Sequence, residues 1–136
     1  MAMACTTRKF DLGNGYSVYE FAWTSNASGV VTGVGSRIVD GLILGVKFHS
    51  DPAAIPTTGY DVTLLTDGGQ DVLMVSGVTG LGANIASAIT DIATQFRKPT
   101  NVDGGPVLIF NSTLTPSITN AGDGKKGKIY LHVWGR

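Results

Sequence analysis

Hydrophobic and polar residues alternate along most of the chain, and clusters of Gly, Pro, Asn and Asp interrupt the alternation. A period of two broken by such clusters is typical of short β-strands joined by turns. In residues 16–23 the alternation places Tyr19, Phe21 and Trp23 on one face of a strand. These three aromatic side chains are therefore predicted to lie on the same side of a sheet.

The next clear strand covers residues 42–49. Alternation predicts that one face carries Leu42, Leu44, Val46 and Phe48, and that the other carries Lys47 and His49. Residues 51–59 contain two prolines, which cannot donate hydrogen bonds to a β-ladder, so this segment is predicted to be a loop.

Residues 60–66 and 71–75 flank the sequence Asp-Gly-Gly-Gln at positions 67–70. Asp-Gly and Gly-Gly readily adopt the positive φ angles of tight turns, so these segments are predicted to form a hairpin. Residues 83–96 are ambiguous, because isoleucines at helical spacing compete with a high β-branched content. One short helix or an irregular crossing is favoured there.

Three strands are predicted in the last third of the chain. The unbroken apolar run at residues 107–110 is typical of a strand buried on both faces. Residues 113–119 alternate cleanly, although Pro116 favours an edge or bulged strand. In residues 128–134 the alternation turns Ile129, Leu131 and Val133 inward.

These segments predict an all-β protein of about seven to nine short strands, spaced as in β-sandwiches and barrels, with at most one short helix. Residues 1–15 are polar and are predicted to be an extended N-terminal arm. Residues 16–136 are predicted to form a single β-sandwich domain, because no repeat or linker divides them.

Composition narrows the classes of function. The chain has 136 residues, of which 43% are hydrophobic and only 15% are charged. Ten basic and ten acidic residues cancel, so the electrostatic signature of a nucleic-acid binder is absent from the sequence. A low charged fraction suggests a surface partly covered by neighbouring chains, or equally one kept soluble by Ser, Thr, Gly and Asn.

The chain is not expected to associate with a membrane, because no stretch approaches the ~20 apolar residues that span a bilayer. The start of the chain lacks the apolar segment of a signal peptide. Cys5 is the only cysteine, which excludes an internal disulfide and fits synthesis in a reducing cytoplasm.

Candidate chemistry is sparse. Asp61, Asp67 and Asp71 cluster around the predicted hairpin, but the calcium-loop pattern is absent and turn or cross-strand roles account for them more simply. Gly80 to Asn84 has neither the Gly-x-Gly-x-x-Gly spacing nor a Walker lysine. The sequence has no Gly-x-Ser-x-Gly nucleophile elbow, its one cysteine lies in the predicted arm, and Glu20 is the only glutamate. We therefore expect no catalytic residues, no metal and no cofactor.

If Ile129, Leu131 and Val133 face the core, then Tyr130, His132 and Trp134 lie on the opposite face of the last strand. A row of large aromatic side chains on an outward face is typical of a surface covered by another chain, or by a loop of the same chain. The lysines at positions 125, 126 and 128 form the one basic cluster, which is either a solvated turn or a contact with an acidic partner.

Two stretches carry a resemblance to small virion proteins of tailed bacteriophages. One runs from Tyr60 through the Asp-Gly turn to Asn84, and the other is the strand–turn–strand of residues 114–128 with the closing strand to Trp134. The likeness spans about residues 16–134. The N-terminal arm and the Ile-rich stretch after Asn84 depart from it.

The resemblance implies an antiparallel β-sandwich of jelly-roll-like topology that serves as a capsid decoration (cement) protein. Such a protein is non-enzymatic and stabilises the capsid by binding the major capsid protein shell from outside. The resemblance further implies a dimer or trimer, made in the host cytoplasm and located on the capsid outer surface of the virion. A carbohydrate-binding or host-adhesion module and a head–tail connector subunit are the alternatives. The predicted partner-binding residues are Arg8, Lys9, Phe10, Ile55, Tyr130, His132 and Trp134.

Overall fold

A computed structural model describes residues 2–75, 78–79, 82–85 and 96–135 of the chain. Within these ranges every element of regular structure is a β-strand, and every strand pairing is antiparallel. In chain order the strands are β1 (Ala4–Gly13), β2 (Tyr16–Thr24), β3 (Arg37–Ser50), β4 (Tyr60–Leu65), β5 (Met74–Val75), β6 (Val78–Thr79), β7 (Gly82–Ile85), β8 (Phe96–Arg97), β9 (Leu108–Thr119) and β10 (Lys126–Trp134).

Eight of these strands form one sheet in the order β1-β2-β10-β3-β9-β4-β7, with β8 paired to β3, while β5 and β6 form a separate two-stranded ladder. The all-β antiparallel class predicted from the alternation is confirmed. The jelly-roll-like sandwich stays a prediction. The ambiguous segment contains β7 at its start, and residues 86–95 lie outside the described residues.

Strand β9 joins the two parts of the sheet. Its first half pairs with β3, and residues 115–119 pair with β4. Pro116 lies beyond the point where β3 begins, because Leu114 is already opposite the first residue of β3, Arg37. The proline therefore removes no hydrogen bond to β3, although β9 lies between β3 and β4 and the predicted edge position is wrong.

One hydrophobic cluster fills the inner side of the sheet. Alternation is confirmed in β2 and β10, where Tyr19, Phe21, Trp23, Ile129, Leu131 and Val133 are buried. We call the side of β1, β2, β10 and β3 that carries these residues the inner face, and the opposite side the outer face.

The alternation predicted for β3 is wrong in its first half. Ile43 is buried, whereas Leu42 and Leu44 are partly exposed. A β-bulge causes this change: Val133 pairs with Ile43 but the adjacent His132 pairs with Gly45, so β3 contains one extra residue, Leu44. An extra residue shifts every preceding side chain to the other face.

Residues 1–15, predicted as an extended arm, contain β1. This strand is extended, but it pairs with β2 along its length and forms the edge of the sheet. Asn14 and Gly15 form the turn between the two strands, both with positive φ (52° and 77°). Asn-Gly is the residue pair that favours such tight hairpin turns.

The hairpin predicted around residues 67–70 is confirmed up to Val72, whose N–H donates to the Leu64 carbonyl at 2.9 Å. Beyond it, β5 pairs with β6. The run at residues 107–110 was predicted to be buried on both faces, and this is wrong. Val107 and Ile109 are buried, while Leu108 and Phe110 are 52% and 76% exposed.

Candidate binding face

The strand register arranges the outer face as rows of side chains that cross four strands. At one end lie Thr6, Ala22, Lys128 and His49. The second row is Arg8, Glu20, Tyr130 and Lys47. The third row is Phe10, Val18, His132 and Gly45. The row at the other end is Tyr16, Trp134, Leu42 and Leu108. The face therefore changes from small and cationic side chains to aromatic and apolar ones.

Trp134 dominates the apolar end. Its side chain is held in place because the indole Nε1 donates a hydrogen bond to the backbone carbonyl of Asn14 at 2.9 Å. Nevertheless 53% of the residue is exposed, next to the partly exposed Leu42, whose partner on β9 is the exposed Leu108. A fixed, exposed aromatic ring among apolar neighbours is the composition found at the core of protein–protein interfaces.

The cationic end contains a shallow cavity of about 430 Å³. Small side chains, including Thr6 and Ala22, form part of its lining, and the longer side chains of Lys126, Lys128 and His49 line it as well. Asp51 is the one acidic residue in this lining. The cavity is therefore suited to an acidic or polar group of a partner.

Glu20 lies on the outer face between its cationic end and its apolar end. It is only 4% exposed, although it lies on the outer side of the sheet. Arg8 contacts its Oε1 through both Nε (3.2 Å) and Nη2 (3.1 Å), and the Lys128 ammonium lies 3.7 Å from its Oε2. Two cations thus surround one carboxylate, and this cluster keeps a net positive charge.

His132 lies beside the apolar end. Its Nδ1 is hydrogen-bonded to the Tyr16 hydroxyl, and the two rings meet edge to face with centroids 5.9 Å apart. Burial, and secondarily the positive charge of Lys47, lower the pKa of His132. The neutral imidazole is favoured, and in its Nε2-protonated tautomer Nδ1 accepts a hydrogen bond from the Tyr16 hydroxyl.

Five of the seven predicted partner-binding residues come together on this face: Arg8, Phe10, Tyr130, His132 and Trp134. Lys9 is on β1 but points to the inner side, where its ammonium lies 5.7 Å from the Tyr19 ring centroid. Ile55 is in the loop after β3, which is hydrogen-bonded to Lys126 at the far end of β10 from Trp134. The structure does not bring Ile55 to the apolar end.

Sequence reasoning missed Leu42, Leu108 and Glu20 as members of the face. Alternation placed Leu42 on the same face as Val46 and Phe48, and Leu108 was assigned to a strand buried on both faces because it lies in an unbroken apolar run. A glutamate in the middle of an otherwise apolar strand was the available signal for Glu20. Only the register shows that it meets cations from two neighbouring strands.

The aspartates and the cysteine considered as metal ligands or nucleophiles form hydrogen bonds within the fold or are partly buried in it. The Asp71 carboxylate accepts the backbone N–H groups of Leu64 and Leu73 at 3.1 and 2.9 Å, and Asp61 accepts from the Asn120 amide. Cys5 lies in β1, and burial raises the pKa of its thiol to about 11. Among the residues that the structure describes, no three potential metal ligands come together.

Within the described ranges no helix is long and apolar enough to cross a membrane. No protein-family model, no curated protein and no solved structure matches this chain. The case for function therefore depends on the outer face itself.

Proposed function

We propose that this chain is a non-enzymatic structural protein of a virus particle that decorates the outside of the protein shell and stabilises it. In this proposal the outer face binds the major capsid protein. The observation that carries it is the exposed Trp134 side chain, held in position by its hydrogen bond to Asn14 and surrounded by apolar residues.

The size of the Trp134 contribution follows from its exposure. With 53% of the residue exposed, a partner that covers it removes roughly 130 Å² of mostly apolar surface, given a side chain of about 250 Å². At about 25 cal/mol per Å² this stabilises the complex by roughly 3 kcal/mol. Removing the side chain should then weaken each contact about 100-fold, because 1.4 kcal/mol corresponds to about tenfold.

The charge distribution supports a partner surface that carries carboxylates. The chain is formally neutral, yet three cations, Arg8, Lys126 and Lys128, lie on the outer face with the carboxylates of Glu20 and Asp51 near them. Complementary charge orients a partner and accelerates association, and salt screens it. Binding should therefore weaken as the salt concentration rises.

A symmetric shell repeats the same surface many times. A decorating protein that contacts two neighbouring subunits, or that is linked to another copy, gains from the resulting effective concentration. Individually weak contacts then suffice for full occupancy. This role requires an exposed face and a rigid sheet, and it requires no catalytic group.

Quantitative mass spectrometry of intact particles tests the proposal most directly. Decoration predicts hundreds of copies per particle, whereas a head–tail connector or fibre predicts at most about a dozen. Absence of the chain from particles would refute the proposal. If that absence were accompanied by binding on a glycan array, the carbohydrate-binding alternative would be supported.

Binding to undecorated shells then tests the face. Trp134→Ala should weaken saturable binding about 100-fold, from the loss of roughly 3 kcal/mol. Val102→Ala is the matched control, because Val102 is 71% exposed but lies in the loop before β9. Equal binding by both variants would contradict the assignment of the outer face.

A further inference from the structure

Strand β1 has an unpaired edge. It is the first strand of the sheet, where β2 pairs with one side of it, and among the described strands none pairs with its other side. It has ten residues and no proline, and all of its residues from Arg8 onward are exposed. Such an edge is a template on which another strand can form hydrogen bonds.

The segment before β3 covers the start of this strand. The Thr32 N–H contacts the Met3 sulfur at 3.4 Å, and Gly35 lies so close to Cys5 that an added Cβ would clash with its sulfur. The accessible part of the edge is therefore residues 7–13.

We propose that two copies of this chain pair antiparallel through β1, across a twofold axis that passes midway between the two Phe10 residues. An axis perpendicular to the sheet reverses the strand direction and preserves the two faces. A residue of one copy is then opposite a residue that points to the same face in the other. One residue of β1 must be opposite itself on the axis.

The charged side chains of β1 indicate which residue is opposite itself at the axis. If Arg8, Lys9 or Asp11 lay there, each would face its own like charge, which destabilises a cross-strand pair. With Phe10 on the axis, the two phenyl rings face each other on the outer side of the sheet. Lys9 is then opposite Asp11 of the second copy, and the reverse pair forms as well.

The same two side chains already attract each other within one chain, where the Lys9 ammonium is 3.3 Å from the Asp11 carboxylate. In the dimer these four charges form one alternating cluster. The bulge between Asp11 and Gly13 interrupts the regular ladder. The pairing is therefore short, and its population depends on protein concentration.

Sedimentation velocity over a range of protein concentrations tests this pairing. The wild-type chain should show a reversible monomer–dimer equilibrium. Lys9→Asp alone places four carboxylates at the axis, and Asp11→Lys alone places four ammonium groups there. Each variant should raise the dimer dissociation constant at least about tenfold, as should Phe10→Lys, which places two ammonium groups on the axis.

Mixing the first two variants separates this register from any other explanation. In an equimolar mixture, Asp at position 9 of one chain faces Lys at position 11 of the other, so the heterodimer should form with wild-type affinity. Unchanged Trp fluorescence in each variant confirms folding, because the substituted residues are exposed. A wild-type chain that stays monomeric, single variants that still dimerise, or a mixture that stays monomeric would each overturn the proposal.

Discussion

Replacing Ile43 by alanine should destabilise the protein more than replacing its neighbour Leu44, although strict alternation along β3 predicts the reverse order. The bulge opposite His132 and Val133 turns Ile43 inward, where it is 1% exposed, and leaves Leu44 partly exposed. The two substitutions remove similar volumes from adjacent positions. Their difference therefore measures which face each side chain occupies.

The magnitude follows from burial. A fully buried Ile→Ala substitution costs about 2–5 kcal/mol, because the lost transfer free energy is joined by the cost of a cavity. Removing the partly exposed Leu44 side chain should cost about 1 kcal/mol. Ile43→Val should cost about 0.5–1.5 kcal/mol and provides a variant that folds if Ile43→Ala does not.

Urea denaturation followed by Trp fluorescence measures these costs, because Trp23 is buried and reports loss of the core. With a slope of about 1–3 kcal/mol per molar urea, a loss of ~3 kcal/mol lowers the midpoint by roughly 1–3 M. A midpoint for Leu44→Ala equal to or below that of Ile43→Ala would refute the bulge. The slope must stay constant for the comparison to hold.

Three further results are expected. Gly127→Ala should destabilise the fold by about 1–3 kcal/mol in the same urea assay, because the new methyl group would lie 2.8 Å from a backbone oxygen and 2.6 Å from the Trp23 ring. Gly68→Ala is the control, since the nearest atom to its new methyl group is 3.8 Å away. A cost for Gly127→Ala no larger than that of Gly68→Ala would contradict the prediction. The pKa of His132 is lowered in the folded state, so the unfolded chain binds more protons than the folded chain as this histidine titrates. The free energy of unfolding should therefore fall as the pH drops from the ordinary histidine pKa near 6.5 through the lower pKa of His132 in the folded state. His132→Gln should flatten the profile of urea midpoint against pH, and an unchanged slope would refute the assignment. Cys5, whose pKa is raised to about 11, should react with iodoacetamide at neutral pH far more slowly than in the urea-unfolded chain, and equal rates would argue against its burial.

The sequence by itself determined the fold class and the faces of the regular strands. A strand places successive side chains on opposite faces, so polar and apolar positions report directly which side is buried. That local rule correctly assigned Tyr19, Phe21 and Trp23 in β2, and it placed Tyr130, His132 and Trp134 on the outward face of β10. It also located the turn after β4.

Tertiary structure determined the features that alternation along a single strand does not encode. The bulge at Leu44 depends on the register against β10, and the exposure of Leu108 depends on which strands flank it. Residues 1–15 looked like an arm because their polar side chains pack little. Their order comes from backbone hydrogen bonds to β2, which every residue type except proline can both donate and accept.

The outer face itself is a property of strand order. Arg8, Glu20 and Lys128 are distant in sequence, and they meet only because β2 lies between β1 and β10. Hydrophobic periodicity gives each strand an inside and an outside but does not say which strands are neighbours. Neighbours are chosen by packing and hydrogen bonding across the whole chain, and this choice placed the cations at one end of the face and Trp134 at the other.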